Sequence, residues 1–466
     1  TCVDPLFGTL PEFDQLLAAA HRRGLRVLLD LVPNHTSDEH PWFVESRRGR
    51  SDPKRDWYIW RDPKPGGGPP NNWLSHFGGS AWTYDRATRQ YYLHLFDPKQ
   101  PDLNWANRAV RNAVYDAMRF WLDRGVDGFR VDVVGGMVKD PQFRDDPPNP
   151  DWKRGDPAPH KLLRVHSMNR PGVHAVVREM RRVTDAYQDR VLIGEYYGPF
   201  ERLVRFYGRH HGGRLDGCHL PFNFALIALP WDAAAVRAAV DRYEASLPEG
   251  AWPSWVLGNH DRPRVASRVG ADQARVAQML LLTLRGTPTM YYGDEIGMAD
   301  VPVPHQRALD PVEKRVPGHG RDPARTPMQW SADRYAGFSA HRPWLPLARD
   351  YAAVNVAAQR RDPRSLLSLV RRLLQLRRAT PALALGDIAT LESGHDDVLA
   401  YARTCGGQRV LVALNFGPHK RCVDFLAAGG RHRVGTILCS TSMGRTGAAD
   451  LASLQLRPNE GVVLGA

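Results

Sequence analysis

Three carboxylic acids close apolar runs in this chain, and acids so placed can do chemistry. Asp132 ends the stretch Gly128-Phe129-Arg130-Val131-Asp132, Glu195 ends Ile193-Gly194-Glu195, and Asp261 ends Gly258-Asn259-His260-Asp261. The runs Val126 to Asp132, Val191 to Glu195 and Trp255 to Asp261 read as buried strands. Cleavage of a glycosidic bond needs one carboxylic acid to protonate the leaving oxygen and one carboxylate to attack. Any one of these acids, taken alone, reads equally well as a structural ion-pair partner. Their companions favour chemistry. Arg130 lies two residues before Asp132 and so shares its face of a strand, and His260 directly precedes Asp261. A fourth polar strand end, Asp30-Leu31-Val32-Pro33-Asn34-His35, follows the run Leu25 to Leu29.

The acids are sixty-odd residues apart, with amphipathic helical patterns between them. That rhythm predicts a β/α barrel, whose strand C-termini gather functional residues at one mouth. Phe13 to Arg23 reads as a helix and Leu25 to Val32 as the strand after it. Residues 37–104 break the rhythm with Trp, Pro, Gly and Asp. Asn107 to Arg124 is a helix, with apolar spacing at Val110, Val114, Met118, Phe120 and Trp121. Two long loops, Asp140 to Arg170 and Gly297 to Trp344, follow strands and suit a substrate pocket. Leu366 to Arg378 is the last barrel helix. Beyond about Ala384 the pattern turns to short β-like runs, Val398 to Tyr401, Val410 to Asn415 and Gly461 to Leu464, and predicts a small antiparallel domain.

Composition is that of an ordinary globular protein: 42% hydrophobic and 24% charged over 466 residues. The net charge of +13 comes mostly from scattered Arg, without any nucleic-acid-binding pattern, and reads as a solvated surface. No apolar run is long enough for a transmembrane helix. The five cysteines, at 2, 218, 405, 422 and 439, show neither zinc nor CxxC spacing and fit a reducing, cytoplasmic setting. Cys422 and Cys439 remain a possible pair in the β-rich tail.

The four strand-end stretches occur in the order of the four strand-end motifs of the α-amylase superfamily of retaining glycoside hydrolases (glycoside hydrolase family 13), and the chain resembles that family. Four further segments resemble its exo-acting α-glucosidase and oligo-1,6-glucosidase branch: Phe77-Gly78-Gly79-Ser80-Ala81-Trp82, Gln100-Pro101-Asp102-Leu103-Asn104-Trp105, Pro221-Phe222-Asn223-Phe224, and Gly320-Arg321-Asp322 leading into Arg325-Thr326-Pro327-Met328-Gln329-Trp330. The resemblance implies a (β/α)8 barrel over residues 1–36 and 105–382, an excursion domain over 37–104 after the third strand, and a C-terminal β domain over 383–466. It also implies that the first strand, first helix and second strand of the barrel are absent, so that the expectation is an incomplete barrel. In relatives the corresponding stretch carries an Asp and a Tyr of the glucose pocket and in many a calcium-binding loop.

By the same resemblance Asp132 is the nucleophile, Glu195 the general acid and then base, and Asp261 a binder of sugar hydroxyls that steadies the oxocarbenium-like transition state without a covalent role. Retention calls for carboxyl groups about 5 to 5.5 Å apart. Arg130 fits as a permanent cation keeping a neighbouring carboxylate ionised. The aromatic run of Tyr196 and Tyr197 fits as an apolar setting that keeps Glu195 protonated. His35 and His260 would bond the reacting glucose, Phe96 and Gln100 line its subsite, and Arg321 close the pocket. Phe96 reads equally as a core aromatic, and Arg321 as a solvated loop residue. Val133, after the nucleophile, resembles enzymes that accept α-1,6 bonds.

The expected activity is hydrolysis of α-1,4 or α-1,6 glucosidic bonds of short oligosaccharides from the non-reducing end, releasing glucose. The expected partner is a small α-glucoside, with no nucleic acid, membrane, organic cofactor or metal, calcium through the missing loop excepted. A transglucosylase or isomerase such as a trehalose synthase, an inactive truncated product, and a non-catalytic accessory member are the alternatives.

Overall fold

The computed structural model describes residues 1–427 and 432–466 and divides into two compact units. The first comprises residues 1–222 with 248–251 and 315–318. Its centre is a sheet in which strands Leu28–Leu31, Gly128–Val131, Val191–Tyr196 and Leu220–Asn223 lie in that order. The chain passes to the second unit at the end of the last of these. The first three strands are parallel, Leu28 pairing with Gly128 and Gly128 with Val191. Gly128 is required there: its φ is +144°, and a Cβ would lie 2.0 Å from the Val191 carbonyl oxygen. Strand Leu28–Leu31 stands at the end of the sheet, and Leu28 and Val32 are exposed beside it.

Helices follow from local signals. In Leu10–Arg22 a capping box joins Thr9 and Glu12, with Pro11 in the first turn. Asn107 caps Arg108–Asp123 by accepting from the Ala109 N–H at 2.8 Å. That helix buries Val110, Val114, Met118 and Leu122, one stripe at a spacing of four. Phe120 and Trp121 are half-buried on another side, where Trp121 meets Phe13 edge-on at 5.1 Å. Residues 37–104 form helix Pro41–Arg47 and a three-stranded antiparallel sheet, Trp60–Arg61, Gln90–Leu93 and Trp82–Asp85. Trp73, Trp82, Leu93 and Leu95 pack in its core.

The second unit comprises residues 223–247, 252–314 and 319–466. Strands Ser254–Val256 and Thr287–Thr289 pair in parallel. Helix Ala271–Thr283 is buried along most of its length, and Ser365 caps helix Leu366–Ala379. The tail forms a six-stranded antiparallel sheet, in the order Asp387–Leu391, Val398–Cys405, Gln408–Asn415, Gly461–Gly465, Val434–Ser440, Gly447–Asp450. Ala400, Leu411, Val462 and Leu464 lie in its core with Phe425 and Leu454. Cys422 and Cys439 are both free thiols, the first exposed and the second buried, so the pairing left open by the sequence is not made.

Candidate active site

Strand register sets the first cluster. Val131 pairs with Gly194 across parallel strands, so one residue further on Asp132 and Glu195 are neighbours facing the same way. The backbone closes around them: the Asp132 N–H donates to the Leu31 carbonyl at 2.9 Å, and the Val134 N–H to that of Glu195 at 3.1 Å. Arg130, on the same face, binds both acids. Its Nη1 is 2.8 Å from Asp132 Oδ1 and from Asp30 Oδ1, and its Nη2 is 2.7 Å from Glu195 Oε2. Glu195 is only 4% exposed. Burial pushes its carboxyl up to about 8, against the opposing pull of Arg130 and with help from the Asp132 charge. The Val133 N–H also donates to Glu195 Oε2, at 3.1 Å. Val133 holds a φ of 43°, a left-handed conformation strained for a β-branched residue, and thereby aims that amide.

Tyr197 contributes less than expected to this burial. It is 41% exposed, whereas Tyr196 is buried and, as the next residue on the strand, points to the opposite face from Glu195.

His35 is buried in the loop after Leu28–Leu31. The Gln100 segment docks on that loop: the Leu103 N–H donates to the Asn34 carbonyl at 2.9 Å, and Trp105 Nε1 to that of Pro33 at 2.7 Å. His35 Nε2 consequently lies 2.9 Å from the Gln100 amide nitrogen, and the Phe96 ring stands 5.3 Å from the imidazole. Phe96 also stacks on His76 at 4.8 Å and packs against the aromatic core of residues 37–104. Burial lowers the His35 pKa and favours neutral imidazole. Lys139, a residue the sequence reading did not single out, pins these loops. Its buried Nζ is 2.6 Å from Asp102 Oδ2 and donates to Asn34 Oδ1 at 2.8 Å and to the Gly136 carbonyl at 2.6 Å.

The second unit holds Asp261, His260 and Arg321. Asp261 lies five residues beyond strand Ser254–Val256, in a turn where its N–H donates to Asn259 Oδ1 at 3.1 Å. Two guanidiniums meet its Oδ1: Arg321 Nη1 and Arg325 Nη2, each at 3.0 Å. Arg325 Nε donates to the His260 carbonyl at 2.8 Å. His260 Nε2 stands 3.4 Å from Asp261 Oδ2. Arg325 was legible only as part of its motif. Asp310, which grips Arg321, carried no signal in the sequence. Among the described residues, no group of three or more His, Cys, Asp or Glu is arranged to hold a metal ion, and no helix is long and apolar enough to cross a membrane.

Residues 1–386 match the alpha amylase catalytic domain. An oligo-1,6-glucosidase of Halalkalibacterium halodurans is 36% identical over 459 residues, covering 90% of this chain and 79% of the relative. A probable alpha-glucosidase of Rhizobium meliloti is 41% identical, over 89% of this chain and 77% of its own length. Among solved structures, the alpha-glucosyl transfer enzyme XgtA superposes with a TM-score of 0.92 at 38% identity, covering all of this chain and 87% of that one. The trehalulose synthase MutB of Pseudomonas mesoacidophila gives 0.87 at 34%, also over all of this chain and 87% of its own. The chain belongs to the α-amylase family, whose catalytic domain is a (β/α)8 barrel. It is a glycoside hydrolase, with relatives named as oligo-1,6-glucosidases and alpha-glucosidases.

Proposed function

We propose that this enzyme is a retaining, exo-acting α-glucosidase that hydrolyses α-1,4 or α-1,6 bonds of short oligosaccharides from the non-reducing end and releases glucose. The observation that carries the reading is the shared grip of Arg130 on Asp132 and Glu195. Arg130 favours the charged form of a carboxylate beside it, and for Glu195 burial outweighs that pull. Asp132 attacks the anomeric carbon. Glu195, kept protonated by burial, donates its proton to the leaving oxygen and then takes one from the water that breaks the glycosyl ester. Asp261 takes the third role, binding sugar hydroxyls and steadying the oxocarbenium-like transition state, on the motif it shares with the family. His35, His260, Gln100, Phe96 and Arg321 are assigned to the glucose. The five free cysteines support a reducing, cytoplasmic setting.

A second reading is transfer of the glucosyl group to a sugar. The likeness to XgtA and to trehalulose synthase favours it. Incubation with maltotriose and with isomaltose, followed by chromatography of early products, tests both readings. Equal release of glucose and maltose from maltotriose, and of two glucose molecules from each isomaltose, supports hydrolysis. Longer sugars formed from maltotriose together with maltose and little glucose would favour transfer, and cleavage inside a maltoheptaose would refute the exo-acting assignment.

A further inference from the structure

We propose that Asp310 is a positioning residue that sets how Arg321 meets Asp261, an inference that rests on the sugar-binding role given to Asp261 above. Asp310 is buried and takes the guanidinium fork side-on, with Arg321 Nε 2.8 Å from Oδ2 and Nη2 2.8 Å from Oδ1. The Arg321 backbone N–H donates to the same carboxylate at 2.7 Å, so main chain and side chain are both fixed. Asp310 is itself anchored. Its N–H and that of Leu309 donate to the buried Asp322 Oδ2, at 3.2 and 2.9 Å. The edge of the fork gripped by Asp310 is thereby kept from Asp261, which Arg321 meets through Nη1 at Oδ1. Arg325 arrives at that same oxygen, on the side of the carboxylate away from the His260 imidazole.

A guanidinium and a carboxylate prefer a two-point contact. With Asp310 neutralised, the fork of Arg321 would turn onto Asp261 and cover both its oxygens. The carboxylate would then be lost to a sugar hydroxyl while the charge count around it changed little. Asp310 thus acts through Arg321 and touches neither the sugar nor the reacting atoms.

Asp310→Asn keeps the size of the side chain and an acceptor for the Arg321 N–H, and removes the charge. Its kcat on maltose and on an aryl α-glucoside should fall roughly tenfold or more, the range typical of residues that orient a functional group. KM should move much less. In an Arg321→Met background the same change should add little further loss, because its route of action is gone. A crystal structure of Asp310→Asn should show Arg321 turned onto Asp261. A variant with at least half the normal kcat, losses that multiply in the double variant, or Arg321 unmoved in the crystal would overturn the proposal. If the unaltered enzyme cleaves no α-glucoside, the proposed function fails instead, and the position of Arg321 in the crystal still decides this inference.

Discussion

At the scale of single residues, the account turns on unlike surroundings for two like groups. Glu195 is buried and pushed up to about 8, and a general acid must carry its proton to work. Since the pKa is raised, the competent form is present below about 8 and lost as pH rises through it. The profile of kcat/KM on an aryl α-glucoside should therefore show an alkaline limb near that value. Glu195→Gln should abolish the limb, impair natural disaccharides far more than an activated aryl glucoside, and respond to added azide. Equal loss on both substrates, without azide rescue, would count against the role. Asp132→Asn should lower kcat by several orders of magnitude with the melting temperature little changed, since removal of a nucleophile costs several kcal/mol of barrier. A variant retaining more than about a tenth of the normal kcat would contradict the assignment.

At the scale of elements, parallel register brings Asp132 beside Glu195, and buried polar contacts hold the loops that follow. Lys139 ties three stretches together through Asp102, Asn34 and Gly136. Lys139→Met leaves Asp102 as an uncompensated buried charge, and should cost about 3–5 kcal/mol in urea unfolding. Adding Asp102→Leu should recover part of that loss, and no recovery would show that the pair is not the cause. These elements also mark what was readable in advance. Asp132, Glu195 and Arg130 were legible because period-two alternation and an apolar run fix where a strand ends and which side chains share a face. Asp310 and Lys139 were not, because their partners lie in loops without periodicity, brought near by long-range packing. Tyr196 gives Glu195 less cover than its adjacency in sequence suggests, because neighbouring residues on a strand face opposite ways. The turn from Gly258 to Asp261 likewise prolonged what the apolar run suggested was strand, which in fact stops at Val256.

At the scale of the whole molecule, two features ask for a test. Strand Leu28–Leu31 lies at the end of its sheet, and Leu6, Phe7, Leu16, Leu25 and Leu28 are exposed in the same part of the chain. An open strand edge with apolar side chains invites association. We expect a variant with Leu6 and Phe7 both replaced by Ser to bind less of a hydrophobic dye than the unaltered protein. Equal dye binding by the two would show that these side chains form no such surface. The two readings proposed above, hydrolysis and transfer to a sugar, would share a first half-reaction, formation of a glucosyl ester on one carboxylate. The most direct measurement is therefore mass spectrometry of the enzyme trapped with a fluorinated glucosyl fluoride, followed by peptic digestion. The account predicts one added sugar on the peptide containing Asp132. An adduct on another residue, or steady turnover with inversion at the anomeric carbon and no adduct, would contradict it.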